Sequence, residues 1–406
     1  MTYDAIIVGA GPGGATAATF MAEAGLRVLL LDKDRFPRDK VCGDAISGRS
    51  IDVMRDLGVT EQLLQADSLH CWGITFAAPS GKAVSIPITE DRGQLVPPAF
   101  VCTRHRFDQI LFERACTAGV DIRQQTTVDG LLWENDHVVG VQVKQAPNPQ
   151  SIRAKLVVGA DGAYSAVVRA LGMPQLEEKY YAAAVRAYYE DVVGFHEKNF
   201  MEIHFLDVCV PGYFWIFPMG RGRANVGVGM LSRDVKARGV QLKDLLDACV
   251  AHPRFGGRFQ AARRVGVVKG WGLPLGSKPR PMAGHGWMLV GDAASLIDPF
   301  TAEGIGNAMA SGRSAAQWAA RACEAGDVSA AFLAGFEREV QGYLRNELRL
   351  SHALQRLTGW RALLDFVIGK AGRVPDLAVV LSSMFDDRTQ RRRLLSPLFY
   401  LRLLAS

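Results

Sequence analysis

The run Gly9-Ala10-Gly11-Pro12-Gly13-Gly14, set directly after the apolar stretch Tyr3 to Val8, restricts this chain to few folds. Ala5-Ile6-Ile7-Val8 is unbroken apolar sequence ended by glycine, the pattern of a parallel strand buried on both faces. Gly9 permits a tight turn, Gly11 lets the backbone approach a pyrophosphate, and Gly14 allows close packing of the next helix. That alanine-rich helix, expected over 14–24, offers free N–H groups and its positive dipole end to phosphates. A second buried strand, Arg27-Val28-Leu29-Leu30-Leu31, ends in Asp32. An acid about 20 residues past the glycines accepts ribose hydroxyls and repels a 2′-phosphate. The unit therefore predicts an adenosine diphosphate-like ligand, with Pro12, Gly13, Ala15 and Lys33 beside it.

Two further signatures follow at a distance: Val157-Val158-Gly159-Ala160-Asp161-Gly162 and Leu289-Val290-Gly291-Asp292-Ala293-Ala294. Each alone is weak. Their order and spacing together specify a flavin adenine dinucleotide (FAD) site, held non-covalently. No second GxGxxG stands on its own strand–helix unit, so a separate NAD(P)H domain is not expected. Electrons must come from docked NAD(P)H or from a small reduced protein of the ferredoxin kind.

Composition narrows the class. The chain has 406 residues, 49% of them hydrophobic and 22% charged, with a net charge of +6. That is globular and too mildly basic to argue for nucleic acid. Seven scattered cysteines without a CxxC pair, and eight histidines without ligand spacing, point to reduced thiols in a cytoplasmic setting and to no metal. No apolar run reaches membrane-spanning length.

Strand–helix–strand texture occupies the start of the chain, and a helix is expected over 107–118. From Tyr180 to Gly272 long alternating strands take over. The fold class expected is α/β: a Rossmann-type FAD-binding domain interrupted by an antiparallel β-sheet substrate domain, with a helical C-terminal region. The expected boundaries are 1–70, 100–178 and 277–330 for the first domain, 71–99 and 179–276 for the second, and 331–406 for the third.

This layout resembles the PHBH-like (p-hydroxybenzoate hydroxylase) flavoproteins. The resemblance implies that Asp161 lies near the pyrophosphate, that Asp292 meets the ribityl side, and that the backbone of Val128 meets adenine. Arg104 matches an arginine near the flavin, with Arg106 as its rival. Lys40-Val41-Cys42-Gly43-Asp44-Ala45 is similar to a segment of the geranylgeranyl reductase family, where Cys42, Gly43 and Ala45 would touch FAD. Tyr213-Phe214-Trp215-Ile216-Phe217-Pro218-Met219, followed by Gly227-Val228-Gly229, resembles that family's YxWxFPK-x7-8-GxG pattern, with Met219 in place of lysine. Gly304 and Ile305 open a helix whose amides would face the flavin.

The resemblance implies an FAD-dependent oxidoreductase that saturates double bonds of a prenyl (geranylgeranyl-like) lipid, with a hydrophobic small-molecule substrate. Tyr213 and Trp215 alternate with Phe214 and share one strand face, so they are candidates to wall the substrate pocket, while Phe214 and Phe217 read as core. Cys42 is a candidate proton donor, passive ring contact or adduct-forming thiol. The rival reading is a flavin-dependent monooxygenase or halogenase acting on an aromatic substrate. Arg391 to Leu404 is basic, then apolar. It reads either as a peripheral contact with the inner face of a membrane or as a helix docked on the protein.

Overall fold

The computed structural model describes residues 2–88, 96–144 and 150–374, with 377 and 381. The tail from Arg391 to Leu404 lies outside the described residues.

The apolar run at the start forms strand Tyr3–Val8, which pairs in parallel with Val28–Leu31 on one side and Gln150–Gly159 on the other. Trp287–Leu289 and Asp121–Arg123 extend this parallel sheet outward. Ile6, Ile7, Leu29, Leu30, Leu31, Val157 and Val158 are fully buried, as covered faces demand. Each contributes roughly 1.5–3 kcal/mol of hydrophobic stabilisation. The first helix runs Pro12–Glu23, two residues earlier than expected, because proline suits a helix's first turn. It crosses the long helix Ile305–Ala325 so closely that a Cβ on Gly312 would lie 2.3 Å from the Gly13 carbonyl oxygen.

The second sheet has seven strands, ordered Arg263–Pro274, Tyr181–Glu190, Arg223–Leu231, Tyr213–Gly220, Met201–His204, Gly73–Ala77 and Ala83–Pro87. Its pairings are antiparallel except one: Gly73–Ala77, from a distant segment, enters parallel to Met201–His204. The first sheet also carries the antiparallel strands Thr127–Glu134, His137–Lys144 and Ala283–Gly284, and Ala45–Ser47, Ala99–Cys102 and Ser68–Cys71 form a small third sheet. Helices Ala330–Leu357 and Arg361–Ala371 come last, and Leu333, Phe336 and Val340 of the first pack in the core around the parallel sheet.

Candidate active site

One cavity of about 890 Å3 spans both large sheets. It is lined by Gly9, Gly11, Pro12, Gly13, Asp32, Lys33, Val128, Asp161 and Asp292 at one end. Cys42, Gly43, Ala45, Arg104, Gly304 and Ile305 line it too, and Tyr213 and Trp215 wall the far side. Residues from three remote signatures therefore converge. Ala15, expected beside the ligand, does not line it, and neither does Gly14, whose expected role was helix packing. A Cβ on Gly14 would lie 1.8 Å from the Gly9 carbonyl oxygen, so this glycine serves helix-on-strand packing. Ala15 packs in the cluster of Ile46, Phe107 and Met309.

The residues fit a dinucleotide. No side chain caps the first helix at Gly11, which leaves its leading amides for an anion. A Cβ on Gly11 would meet only Arg38 Nη2, at 3.6 Å, so protein packing does not demand glycine there while a close ligand would. The Asp32 carboxylate accepts the amides of Ala10 at 2.7 Å and Asp34 at 2.8 Å, which fixes it at the cavity wall. Burial pushes its pKa up, against those two hydrogen bonds. Each of its oxygens keeps a lone pair for a ribose hydroxyl. Asp161 acts locally. It accepts Ser165 Oγ at 2.5 Å and the Ala166 amide at 2.6 Å, fixing the turn that precedes helix Ala166–Ala170.

Between the cradle and the aromatic wall sits a charged cluster. The helix expected over 107–118 spans Arg104–Thr117, so Arg104 stands in its first turn rather than before it. Arg104 is buried, whereas its rival Arg106 is exposed and does not line the cavity. Arg104 grips Asp108 with Nε at 2.6 Å and Nη2 at 2.7 Å, and Arg38 reaches the same carboxylate at 2.7 Å. Burial works against charge on Asp108, but the two guanidinia hold its pKa below the ordinary range. Burial also pushes the Cys42 thiol up, with Arg104 pulling the other way. The thiol is therefore protonated near neutrality. Lys40, whose ammonium lies 4.3 Å from the centre of the Trp271 ring, lines the same region.

The aromatic wall follows strand parity. Tyr213, Trp215 and Phe217 all line the cavity; Phe217 is buried in the apolar cluster, as expected of core, and also borders the site. Phe214, on the opposite face, packs with Phe255 and Leu246. Trp215 pairs in register with Gly227, and Tyr213 with Gly229. A Cβ on Gly227 would lie 2.1 Å from Trp215 Cζ2, so the GxG pair is the space into which the indole lies. Tyr213 donates to the Thr301 carbonyl at 3.0 Å.

The node beneath this wall has no signature in the sequence. Asn225, fully buried, accepts Trp215 Nε1 at 3.0 Å and donates to the Cys42 carbonyl and to Asp44, each at 2.8 Å. Tyr188 also donates to Asp44 at 2.7 Å. One amide thus sets both the indole plane and the Cys42 backbone. Metal-ligand spacing was absent from the sequence, yet Asp136, His137 and His285 meet in space with ligand atoms within 4.8 Å of one another. They lie outside the cavity lining.

Burial raises the Asp44 carboxyl to about 6, against the hydrogen bonds from Tyr188 and Asn225. A carboxyl whose folded pKa exceeds its unfolded value weakens the fold once ionised. The penalty is absent below the ordinary 3.8 and complete above about 6. It amounts to about 3 kcal/mol. Asp44→Asn keeps an acceptor without the charge, so its melting temperature should gain on wild type as pH rises from 4 to 7. A gap independent of pH would refute this reading.

The sequence matches the FAD binding domain family over residues 2–342. A digeranylgeranylglycerophospholipid reductase of Thermoplasma volcanium is 32% identical over 366 residues, with 88% of each chain covered. A solved geranylgeranyl bacteriochlorophyll reductase-like protein of Thermoplasma acidophilum superposes with a TM-score of 0.83 at 26% identity, covering 100% of this chain and 96% of that one. A flavin-dependent brominase, at 23% identity and a TM-score of 0.78 with 97% and 98% covered, shares the fold. By these matches the chain belongs to the geranylgeranyl reductase family of FAD-dependent oxidoreductases.

Proposed function

We propose that this protein reduces carbon–carbon double bonds of a prenyl lipid or a closely related hydrophobic alkene. The observation that supports it is the continuity of one cavity from the dinucleotide cradle to an apolar wall. That wall comprises Tyr213, Trp215 and Phe217 with Ala184, Leu231 and Leu273. A polyprenyl chain is recognised by shape and apolar area, which such a wall supplies.

FAD, when bound and reduced, supplies a hydride to one alkene carbon. The second carbon needs a proton, and Cys42 holds one at the cavity wall. Arg104, beside the thiol, stabilises the thiolate left after transfer. Tyr213 is less free to give its proton, because its hydroxyl already donates to Thr301. Trp215 and Phe217 exclude water from the reacting bond. Reducing equivalents come from NAD(P)H or a reduced ferredoxin-like protein. Met219, at the pattern's lysine position, packs against the apolar cluster around Trp215 and Phe217, so it offers no charge to a headgroup.

Holoprotein incubated anaerobically with a chemical reductant and a geranylgeranyl lipid should yield products heavier by two hydrogens per bond, read by mass spectrometry. Aromatic hydroxylation or halogenation coupled to oxygen uptake, with the prenyl chain untouched, would overturn the proposal in favour of an oxygen-using enzyme.

A further inference from the structure

Seven large hydrophobic side chains are exposed among the described residues, and three of them fall between residues 357 and 366. Leu357 is 38% exposed, Trp360 67% and Phe366 42%. Leu357 and Trp360 sit where helix Ala330–Leu357 ends and Arg361–Ala371 begins, and Phe366 lies midway along the second helix. The turn between these helices is part of the cavity wall, since Gln355, Arg356, Thr358 and Gly359 line it. Apolar surface is therefore exposed beside a turn that forms part of the cavity wall.

Along this stretch of chain the charges have one predominant sign, although Arg361 also donates to the Asp207 carbonyl. From 356 to 373 the chain carries Arg356, Arg361, Lys370 and Arg373 against a single acid, Asp365. Asp365 accepts the Ser80 amide at 2.9 Å. The Lys370 ammonium lies 5.8 Å from the centre of the Phe366 ring. A tryptophan at the surface, flanked by long basic side chains, suits a bilayer's interface, where rings lie at headgroup depth and cations meet lipid phosphates. No helix among the described residues is long and apolar enough to cross a membrane. Contact of this kind would be interfacial.

We infer that the Leu357–Trp360–Phe366 corner docks the protein on an anionic lipid bilayer and that the cavity opens toward it beside this corner. A prenyl lipid then enters from the membrane without crossing water. This goes beyond the proposed reduction, and vesicle binding tests it without turnover, so either claim can fail alone.

Full-length holoprotein should sediment with vesicles containing phosphatidylglycerol and only weakly with phosphatidylcholine alone. Trp360→Ala combined with Phe366→Ala should weaken that binding at least tenfold while flavin content stays unchanged. In vesicles of brominated lipid, part of the wild-type tryptophan emission should be quenched, and Trp360→Phe should abolish that part. Several outcomes would overturn the inference: no vesicle binding, binding unchanged in the double variant, or quenching unchanged in Trp360→Phe. So would binding lost only when Arg391, Arg392 and Arg393 become glutamate, which would assign the anchor to the tail. A dimer in solution that dissociates on Trp360→Ala would assign the patch to a second copy instead.

Discussion

Protein carrying Gly14→Ala is expected to purify colourless. The added methyl would lie 1.8 Å from the Gly9 carbonyl oxygen and 3.1 Å from Ala160 Cβ. A backbone oxygen cannot rotate aside, so helix Pro12–Glu23 must move off the sheet. Overpacking of this severity costs about 3 kcal/mol or more. The displaced helix is the one whose uncapped first turn borders the cavity, and Gly9, at φ +99°, has no freedom to absorb the shift. FAD affinity should fall more than about a hundredfold. Gly257, where a Cβ meets nothing within 4 Å, provides the control, since Gly257→Ala should keep full flavin content. The check is flavin absorbance per protein after gel filtration. Equal colour in both variants would mean that the glycine turn does not hold the cofactor.

Cys42→Ala should lower kcat about a hundredfold with flavin content unchanged. General acids contribute roughly two to four powers of ten, and a hundredfold is about 2.7 kcal/mol of barrier. Burial keeps the proton on sulfur through neutral pH, while Arg104 eases its release. Cys42→Ser retains size and a proton but on a far weaker acid, so it should recover little of the loss. The measurement is single-turnover reduction of a prenyl lipid by pre-reduced holoprotein, for both variants and wild type. An alanine variant as fast as wild type would assign protonation to solvent and leave Cys42 as a passive wall.

Much of this site is legible in the chain because its determinants are local. A glycine turn between a buried strand and a helix, and the acid at the end of the next strand, need only short spans to be recognised. Strand parity revealed Tyr213 and Trp215. Parity also places Phe217 on the same face, but a phenylalanine inside an apolar run reads equally well as core. The GxG pair gained its reason only in register, where Gly227 stands opposite Trp215. Asn225 was invisible, since its partners Asp44 and Cys42 lie 181 and 183 residues away and no local pattern joins them. Arg104 was placed outside its helix because nothing in the Thr103-Arg104-His105-Arg106 stretch marks the first turn. The corner at Trp360 gave no signal either, because an apolar residue between two helices ordinarily packs.

The central claim is that a flavin cradle and a prenyl-binding wall share one cavity. It is tested most directly by photoreducing the holoprotein under strict anaerobiosis, adding a geranylgeranyl lipid and following flavin absorbance. The yellow colour should return in step with saturation of the lipid. Flavin that stays bleached with every prenyl lipid tried, yet reoxidises at once on admission of air, would contradict the account.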